Sequence, residues 1–146
     1  MFRKASAFTG DGLSTWDTSS AQRMNAMFRD ASSFNADLSG WDTADVTVMG
    51  YMFGGATQFN ADLGDWDTGS VTELANMFRG ATAFNADISG WDTSRATDMD
   101  HMFDGASTFN QDLGQWNIGA LHSDGEQHFG AENMLNGTAL STANFD

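Results

Sequence analysis

Residues 84–103 read Phe-Asn-Ala-Asp-Ile-Ser-Gly-Trp-Asp-Thr-Ser-Arg-Ala-Thr-Asp-Met-Asp-His-Met-Phe, and much of this order recurs elsewhere in the chain. The tryptophans stand at positions 16, 41, 66, 91 and 116, so that every gap is 25 residues. Self-similarity at a fixed period of this length is typical of proteins that stack one supersecondary unit many times. The sequence therefore predicts a tandem-repeat protein.

The spacing of apolar residues predicts what each half of the unit forms. Val46, Met49, Met52, Phe53 and Ala56 follow one face of a short helix. Residues 34–41 show no helical stripe, and we expect them to form a short strand and a bend, paired with the neighbouring units about 4.8 Å away. The predicted fold is an α/β repeat solenoid, a leucine-rich-repeat-like right-handed coil with one short parallel strand and one short helix per 25-residue repeat.

The repeat pattern defines the expected domain organisation. Five repeats occupy residues 1–116, and we expect residues 117–146 to form a degenerate sixth repeat that acts as a C-terminal cap. This cap contains an insertion of seven residues within 121–131. The chain starts inside a unit, and no hydrophobic stretch follows residues 1–4, so we expect a fragment of a larger protein without a signal peptide.

Composition excludes several functional classes. The net charge is −14, which repels nucleic acid and anionic lipid. The chain has no cysteine, which excludes disulfides, zinc–thiolate sites and thiol nucleophiles. No run of 18 apolar residues is present, so we expect no membrane insertion.

The quoted stretch, residues 84–103, resembles the bacterial surface-protein repeat of 25–26 residues, known as the DUF285 or BspA-like family. That family is similar to leucine-rich repeats, and the resemblance covers residues 1–116 closely. Residues 134–146 look like the segment that follows the last repeat in such proteins. The resemblance implies an extracellular or cell-surface location and a role in adhesion or binding.

Two aspartate columns raise the question of a metal. They comprise Asp37, Asp62, Asp87 and Asp112, and Asp42, Asp67 and Asp92. Like charges stacked at this spacing repel by about 1 kcal/mol per pair, so something must offset the repulsion. Either each carboxylate accepts backbone N–H groups in a turn, or the carboxylates hold calcium between the units. Calcium is the one cofactor that the sequence suggests.

Three further columns carry structural and functional alternatives. We expect an internal amide ladder and a column of packed indoles, formed by Asn35, Asn60, Asn85 and Asn110, and by Trp41, Trp66, Trp91 and Trp116. An exposed indole column would instead suit stacking on sugar rings. Two threonine columns, which begin at Thr18 and Thr47, are the basis for an ice-binding alternative. The chain's histidines, His101, His122 and His128, lack metal-ligand spacing.

Because nearly every polar residue belongs to a repeated column, an enzyme is not expected. The leading hypothesis is a non-enzymatic surface module that binds a protein or glycan at a cell surface, and the alternatives are a structural spacer stiffened by calcium and an ice-binding solenoid. We expect specificity at exposed positions that vary between repeats, namely Asp45, Asp65, Ser70, Arg95 and Gln115. An end-to-end homodimer is also expected, because open solenoid ends can stack.

Overall fold

The computed structural model describes residues 1–121 and 130–140, and successive repeats lie directly beside one another throughout these ranges. The described residues contain one regular helix, a single-turn 3-10 helix at Leu13–Thr15. Three isolated parallel bridges join equivalent residues of successive repeats, pairing Arg23 with Val48, Val48 with Glu73, and Glu73 with Asp98. The architecture is therefore built from inter-repeat contacts and turns.

Backbone hydrogen bonds between repeats continue on both sides of these bridges. Alternate N–H groups of the third repeat donate to carbonyls 24 residues later: Met49 N to Glu73 O, Tyr51 N to Ala75 O and Phe53 N to Met77 O, each at 2.9 Å. The same pattern recurs between the second and third repeats, beginning with Met24 N and Val48 O at 2.9 Å. Each repeat thus uses its neighbour to satisfy backbone groups that would otherwise be buried without partners.

The structure has consecutive turns where the apolar spacing predicts a helix over residues 46–56. Met52 N donates to Met49 O, Gly54 N to Tyr51 O and Ala56 N to Phe53 O, at 3.0–3.1 Å. Tyr51 has a φ of 59° and Gly55 a φ of 74°, which a right-handed helix does not permit. The N–H groups of Tyr51, Phe53 and Gly55 are donated to carbonyls of the next repeat, so they cannot form helical i→i−4 bonds.

Residues 34–41, the segment predicted as a strand, contain no strand in the structure. Trp41 N donates to Leu38 O at 3.0 Å, which closes a turn at the end of this segment. The parallel pairing lies instead in the other half of the repeat, at Val48 and its equivalents. The inter-repeat pairing predicted for residues 34–41 is thus found in the segment for which the sequence predicts a helix.

Stacked aromatic rings fill the core. Phe53 and Phe59 of one repeat stack at a centroid distance of 3.9 Å, and Phe53 stacks on Phe78 of the next repeat at 5.6 Å. The indoles of Trp41 and Trp66 are parallel to within 2° at 6.5 Å. Offset stacking of this kind contributes about 0.5–1.5 kcal/mol per pair beyond the buried area. Because the same pairs recur in successive repeats, the core is continuous along the stack.

Residues 130–140 cover the last full repeat. Phe103 N donates to Met134 O at 2.9 Å, and Gly105 N donates to Asn136 O at 2.8 Å. These partners are 31 residues apart, where the other repeats have 24, and the difference is that of the predicted seven-residue insertion. Most of that insertion, with His122 and His128, lies outside the described residues, as does the end of the predicted cap at 141–146.

Candidate functional site

The repeated tryptophans and threonines form hydrogen bonds inside the stack. Trp66 Nε1 donates to Leu38 O at 3.2 Å, and the indoles at 41, 91 and 116 do the same with equivalent carbonyls at 3.0–3.1 Å. These four side chains are only 3–8% exposed, so they present no ring face for stacking on a sugar. Thr68 Oγ1 donates to Asp92 O at 3.1 Å from a buried position.

The buried threonine column removes one of the two columns on which the ice-binding alternative depends. Thr18, Thr43, Thr68 and Thr93 are 1–8% exposed. The second column is accessible at Thr47 and Thr72, but each hydroxyl donates to the backbone of the preceding repeat at 3.2 Å. The two columns therefore do not form one exposed face.

The asparagine column forms a ladder from repeat to repeat. Asn60 N donates to Asn35 Oδ1 at 2.8 Å, Asn85 N to Asn60 Oδ1 at 2.7 Å, and Asn110 N to Asn85 Oδ1 at 2.8 Å. Each amide oxygen thus accepts the backbone N–H of the equivalent residue in the next repeat. The ladder runs along the surface rather than inside the core, because Asn35, Asn60 and Asn110 are exposed.

Both aspartate columns accept backbone N–H groups two residues further along the chain. Asp37 Oδ1 accepts the N–H of Ser39 at 2.9 Å, and Asp92 Oδ1 accepts that of Ser94 at 2.9 Å. The Ser39 backbone N–H, and then its hydroxyl, lower the pKa of Asp37 below its ordinary value. The Ser94 hydroxyl, followed by its backbone N–H, lowers the pKa of Asp92 in the same direction. These bonds to the ionised form offset part of the mutual repulsion.

The turns that the aspartates close require a side-chain oxygen that accepts the backbone N–H, and they do not require a negative charge. At the fifth repeat Asn117 replaces the column aspartate, and its Oδ1 accepts the Gly119 N–H at 2.9 Å. Within residues 1–121 and 130–140, no three histidine, aspartate or glutamate side chains are grouped so that they could hold a metal ion. The geometry of these carboxylates is that of turn formation.

The residues predicted to bind a ligand fall in two exposed columns on either side of the Trp-Asp-Thr bend, which we call the bend surface. Asp45, Ser70 and Arg95 occupy one column, and Asp65 and Gln115 occupy the other. All are exposed except Ser70, which is half-buried. The columns stand five residues apart in the chain, and each changes its chemical character from one repeat to the next.

Sequence reasoning missed a second variable surface, formed by Arg29, Tyr51, Arg79, His101 and Asp104, which we call the turn face. The Arg29 guanidinium lies 4.2 Å from the centroid of the Tyr51 ring, a cation–π contact between successive repeats. Arg79 Nε lies 3.2 Å from Asp104 Oδ2, and His101 Nδ1 lies 3.3 Å from the same oxygen. The turn face thus presents cationic, aromatic and acidic side chains from four repeats, in two separate sets of contacts.

The turn face can be identified in the sequence by the variation of its residues from repeat to repeat. The column that contains Tyr51 reads Ala, Tyr, Asn and His in successive repeats, and the column that contains Arg79 reads Arg, Gly, Arg and Asp. Such variation contrasts with the nearly fixed phenylalanine beside it. The helix that the apolar spacing predicts over residues 46–56 does not indicate which of these columns contact one another across repeats.

The described residues contain no helix of the length and apolarity needed to cross a membrane. No match to the chain is found among curated proteins or among solved structures. The sequence does match the family described as Mycoplasma protein of unknown function, DUF285, over residues 1–71 and again over residues 40–142. Since these two matches together extend over nearly the whole chain, and their overlap agrees with its internal repetition, the chain belongs to the DUF285 family.

Proposed function

We propose that this chain is a non-enzymatic interaction module that binds a protein or a glycan at a cell surface. One observation carries the proposal: the polar side chains that recur from repeat to repeat are used either to bond neighbouring repeats or, as the aspartates do, to close turns within a repeat. The Trp66 indole, the Thr68 hydroxyl and the Asn60 amide each bond to the backbone of a neighbouring repeat. Recognition is therefore left to exposed positions that vary.

The scaffold that we propose for this function is a solenoid in which turns replace the expected helix. Its support is the regular offset of inter-repeat bonds, such as Phe53 N to Met77 O, together with the parallel bridge between Val48 and Glu73. A stack of this kind presents each variable column as a line of neighbouring side chains. Extended surfaces of this type suit elongated or multivalent partners.

Between the two variable surfaces, the turn face is the better candidate for recognition. It contains the chain's single tyrosine and two of its six Lys and Arg residues, on a molecule with a net charge of −14. Tyrosine and arginine are the residues that most often dominate binding energy at interfaces. The Arg79 side chain is 51% exposed, so it is accessible to a partner.

Binding arrays of proteins and glycans, run with and without calcium, would test the proposal. A double variant, Tyr51→Ser with Arg79→Ser, removes the tyrosine and one arginine of the turn face, and Asp45→Ser with Arg95→Ser removes two residues of the bend surface as the matched control. We expect the first variant to lose the bound partner and the second to retain it. Retention by the first variant and loss by the second would assign recognition to the bend surface instead.

The array, together with two further assays, distinguishes the spacer and ice-binding hypotheses from an interaction module. Absence of any partner, combined with a chelator-induced fall in melting temperature, would support a calcium-stiffened spacer. An ice-recrystallisation assay would test ice binding directly. An unchanged melting temperature on chelation would agree with carboxylates that are occupied by backbone N–H groups, such as Asp37 with Ser39.

A further inference from the structure

The terminal segment over residues 130–140 contains the only Asn-Gly pair in the sequence, Asn136 followed by Gly137. Asn136 joins this segment to the last repeat through two bonds. Its backbone oxygen accepts the N–H of Gly105 at 2.8 Å, and its Nδ2 donates to Asp104 Oδ1 at 2.8 Å. A chemical change at Asn136 would therefore act on the contact between this segment and the stack.

We propose that Asn136 is a site of spontaneous deamidation that weakens the attachment of residues 130–140. The backbone nitrogen of Gly137 attacks Cγ of Asn136 and forms a new N–Cγ bond, while the Cγ–Nδ2 bond breaks. The departing NH₂ group takes up the Gly137 N–H proton by way of solvent and leaves as ammonia, so that the cyclic imide forms with no other proton gained or lost. Water then opens the imide at either carbonyl, which gives aspartate or isoaspartate.

The local structure leaves the attacking nitrogen available. Gly137 is exposed and has a φ of 71°, and no residue within 1–121 and 130–140 accepts a hydrogen bond from its N–H. The absence of a side chain on Gly137 also leaves its nitrogen unshielded. Asp104-Gly105 differs in this respect, because the Gly105 N–H is already donated to Asn136 O at 2.8 Å.

The consequence of the reaction follows from the surroundings of Asp104. Its Oδ1 accepts the Asn136 amide, and its Oδ2 receives Arg79 at 3.2 Å and His101 at 3.3 Å. Deamidation replaces the donated NH₂ with a carboxylate, so a charge-assisted hydrogen bond becomes a contact between two anions. Isoaspartate additionally lengthens the backbone by one carbon, which moves the carbonyl that accepts from Gly105.

Peptide mapping by mass spectrometry would test the chemistry on the intact chain held in mildly alkaline buffer. We expect conversion at Asn136 to exceed conversion at Asn133, which lies in the same segment but precedes Met134. Gly137→Ala should abolish the excess, because a methyl group shields the attacking nitrogen. Equal conversion at Asn136 and Asn133 in the unaltered chain would overturn the proposal.

Hydrogen–deuterium exchange would test the structural consequence. In Asn136→Asp, exchange at the N–H groups of Phe103 and Gly105 should accelerate roughly tenfold, the factor that corresponds to the loss of one hydrogen bond to a charged group. Asn133→Asp is the charge-matched control, since the Asn133 side chain contacts Glu132 within the same segment and not Asp104. Equal acceleration in both variants would show that added charge alone, and not the Asp104 contact, is responsible, and would refute the attachment role.

Discussion

Trp66 Nε1 donates to the carbonyl of Leu38, 28 residues earlier, at 3.2 Å. The indole thus buries its ring beside the phenylalanine columns and satisfies a backbone acceptor of the preceding repeat. Trp16 is the exception, because it is 36% exposed and its indole N–H has no acceptor within residues 1–121 and 130–140. The same residue type therefore occurs with and without this bond in one chain.

This difference gives the first prediction. Trp66→Phe should lower the free energy of unfolding by about 1–3 kcal/mol, because it leaves the buried Leu38 carbonyl without its donor. Trp16→Phe should change stability by less than about 0.5 kcal/mol, since no described bond is lost. Urea unfolding of the two variants would measure the difference, and equal losses would show that the indole N–H contributes nothing.

The second prediction concerns threonines that make similar bonds at different depths. Thr68 Oγ1 donates to Asp92 O at 3.1 Å and is buried, whereas Thr72 Oγ1 donates to Thr47 O at 3.2 Å and is exposed. Thr68→Val should cost about 1–3 kcal/mol, because the Asp92 carbonyl loses its donor away from water. Thr72→Val should stay within about 0.5 kcal/mol, because water replaces the hydroxyl. Thermal melts of the two variants would decide the point.

The sequence was sufficient to predict the repeat, its length and the inward columns, but not the backbone between them. Met49, Met52, Phe53 and Ala56 point inward in the structure as the stripe requires. Consecutive i→i−3 turns return side chains to one side about every three residues, so they produce the same apolar spacing as a helix. The distinguishing feature was the positive φ at Tyr51, a residue type that sequence rules do not associate with that conformation.

Glycine substitutions test the turns directly. Gly80 has a φ of 67° and open space around it, whereas Gly90 has open space without a positive φ. Gly80→Ala should therefore cost about 1–2 kcal/mol from backbone conformation alone. Gly90→Ala should be neutral or stabilising by about 0.4–1 kcal/mol, because alanine restricts the unfolded chain. Chemical denaturation measures both, and stabilisation by Gly80→Ala would contradict the turn conformation.

The candidate site was predictable only in part. Variation between repeats identified Asp45 and Arg95 as exposed positions, and the structure places both at the surface. The same criterion applies to Tyr51 and His101, but the apolar spacing predicts a helix at these positions, and a predicted helix does not indicate contacts across repeats. Contacts such as Arg29 with Tyr51 depend on which columns adjoin, and a sequence pattern does not contain that information.

Self-association of the 146-residue chain is the fourth prediction. The first repeat carries the half-buried rings of Phe2 and Phe8, stacked at 4.2 Å, beside the exposed Trp16. We expect sedimentation velocity to show a dimer whose population rises with concentration and falls in Trp16→Ser. Ile118→Ser is the control, because it removes an apolar side chain that is 58% exposed near the other end. A monomer at all concentrations would exclude association through the first repeat.

The fifth prediction concerns acid. Backbone and hydroxyl groups of Ser39 and Ser89 lower the pKa values of Asp37 and Asp87 in the folded state. The unfolded chain therefore binds these protons first as pH falls. The stabilisation is fully present above the unfolded-state pKa and is lost as pH falls through the folded-state pKa.

Replacing both residues by asparagine should flatten this loss, because an amide oxygen still accepts the turn N–H, as Asn117 does for Gly119, but does not titrate in this range. The control is Asp45→Asn with Asp65→Asn, which removes two charges from exposed aspartates that accept no hydrogen bond from the described residues. Melting temperatures measured from neutral pH into the acid range should fall less in the first double variant than in the control. Parallel curves for the two variants would mean that net charge, rather than the hydrogen bonds of Asp37 and Asp87, governs acid stability.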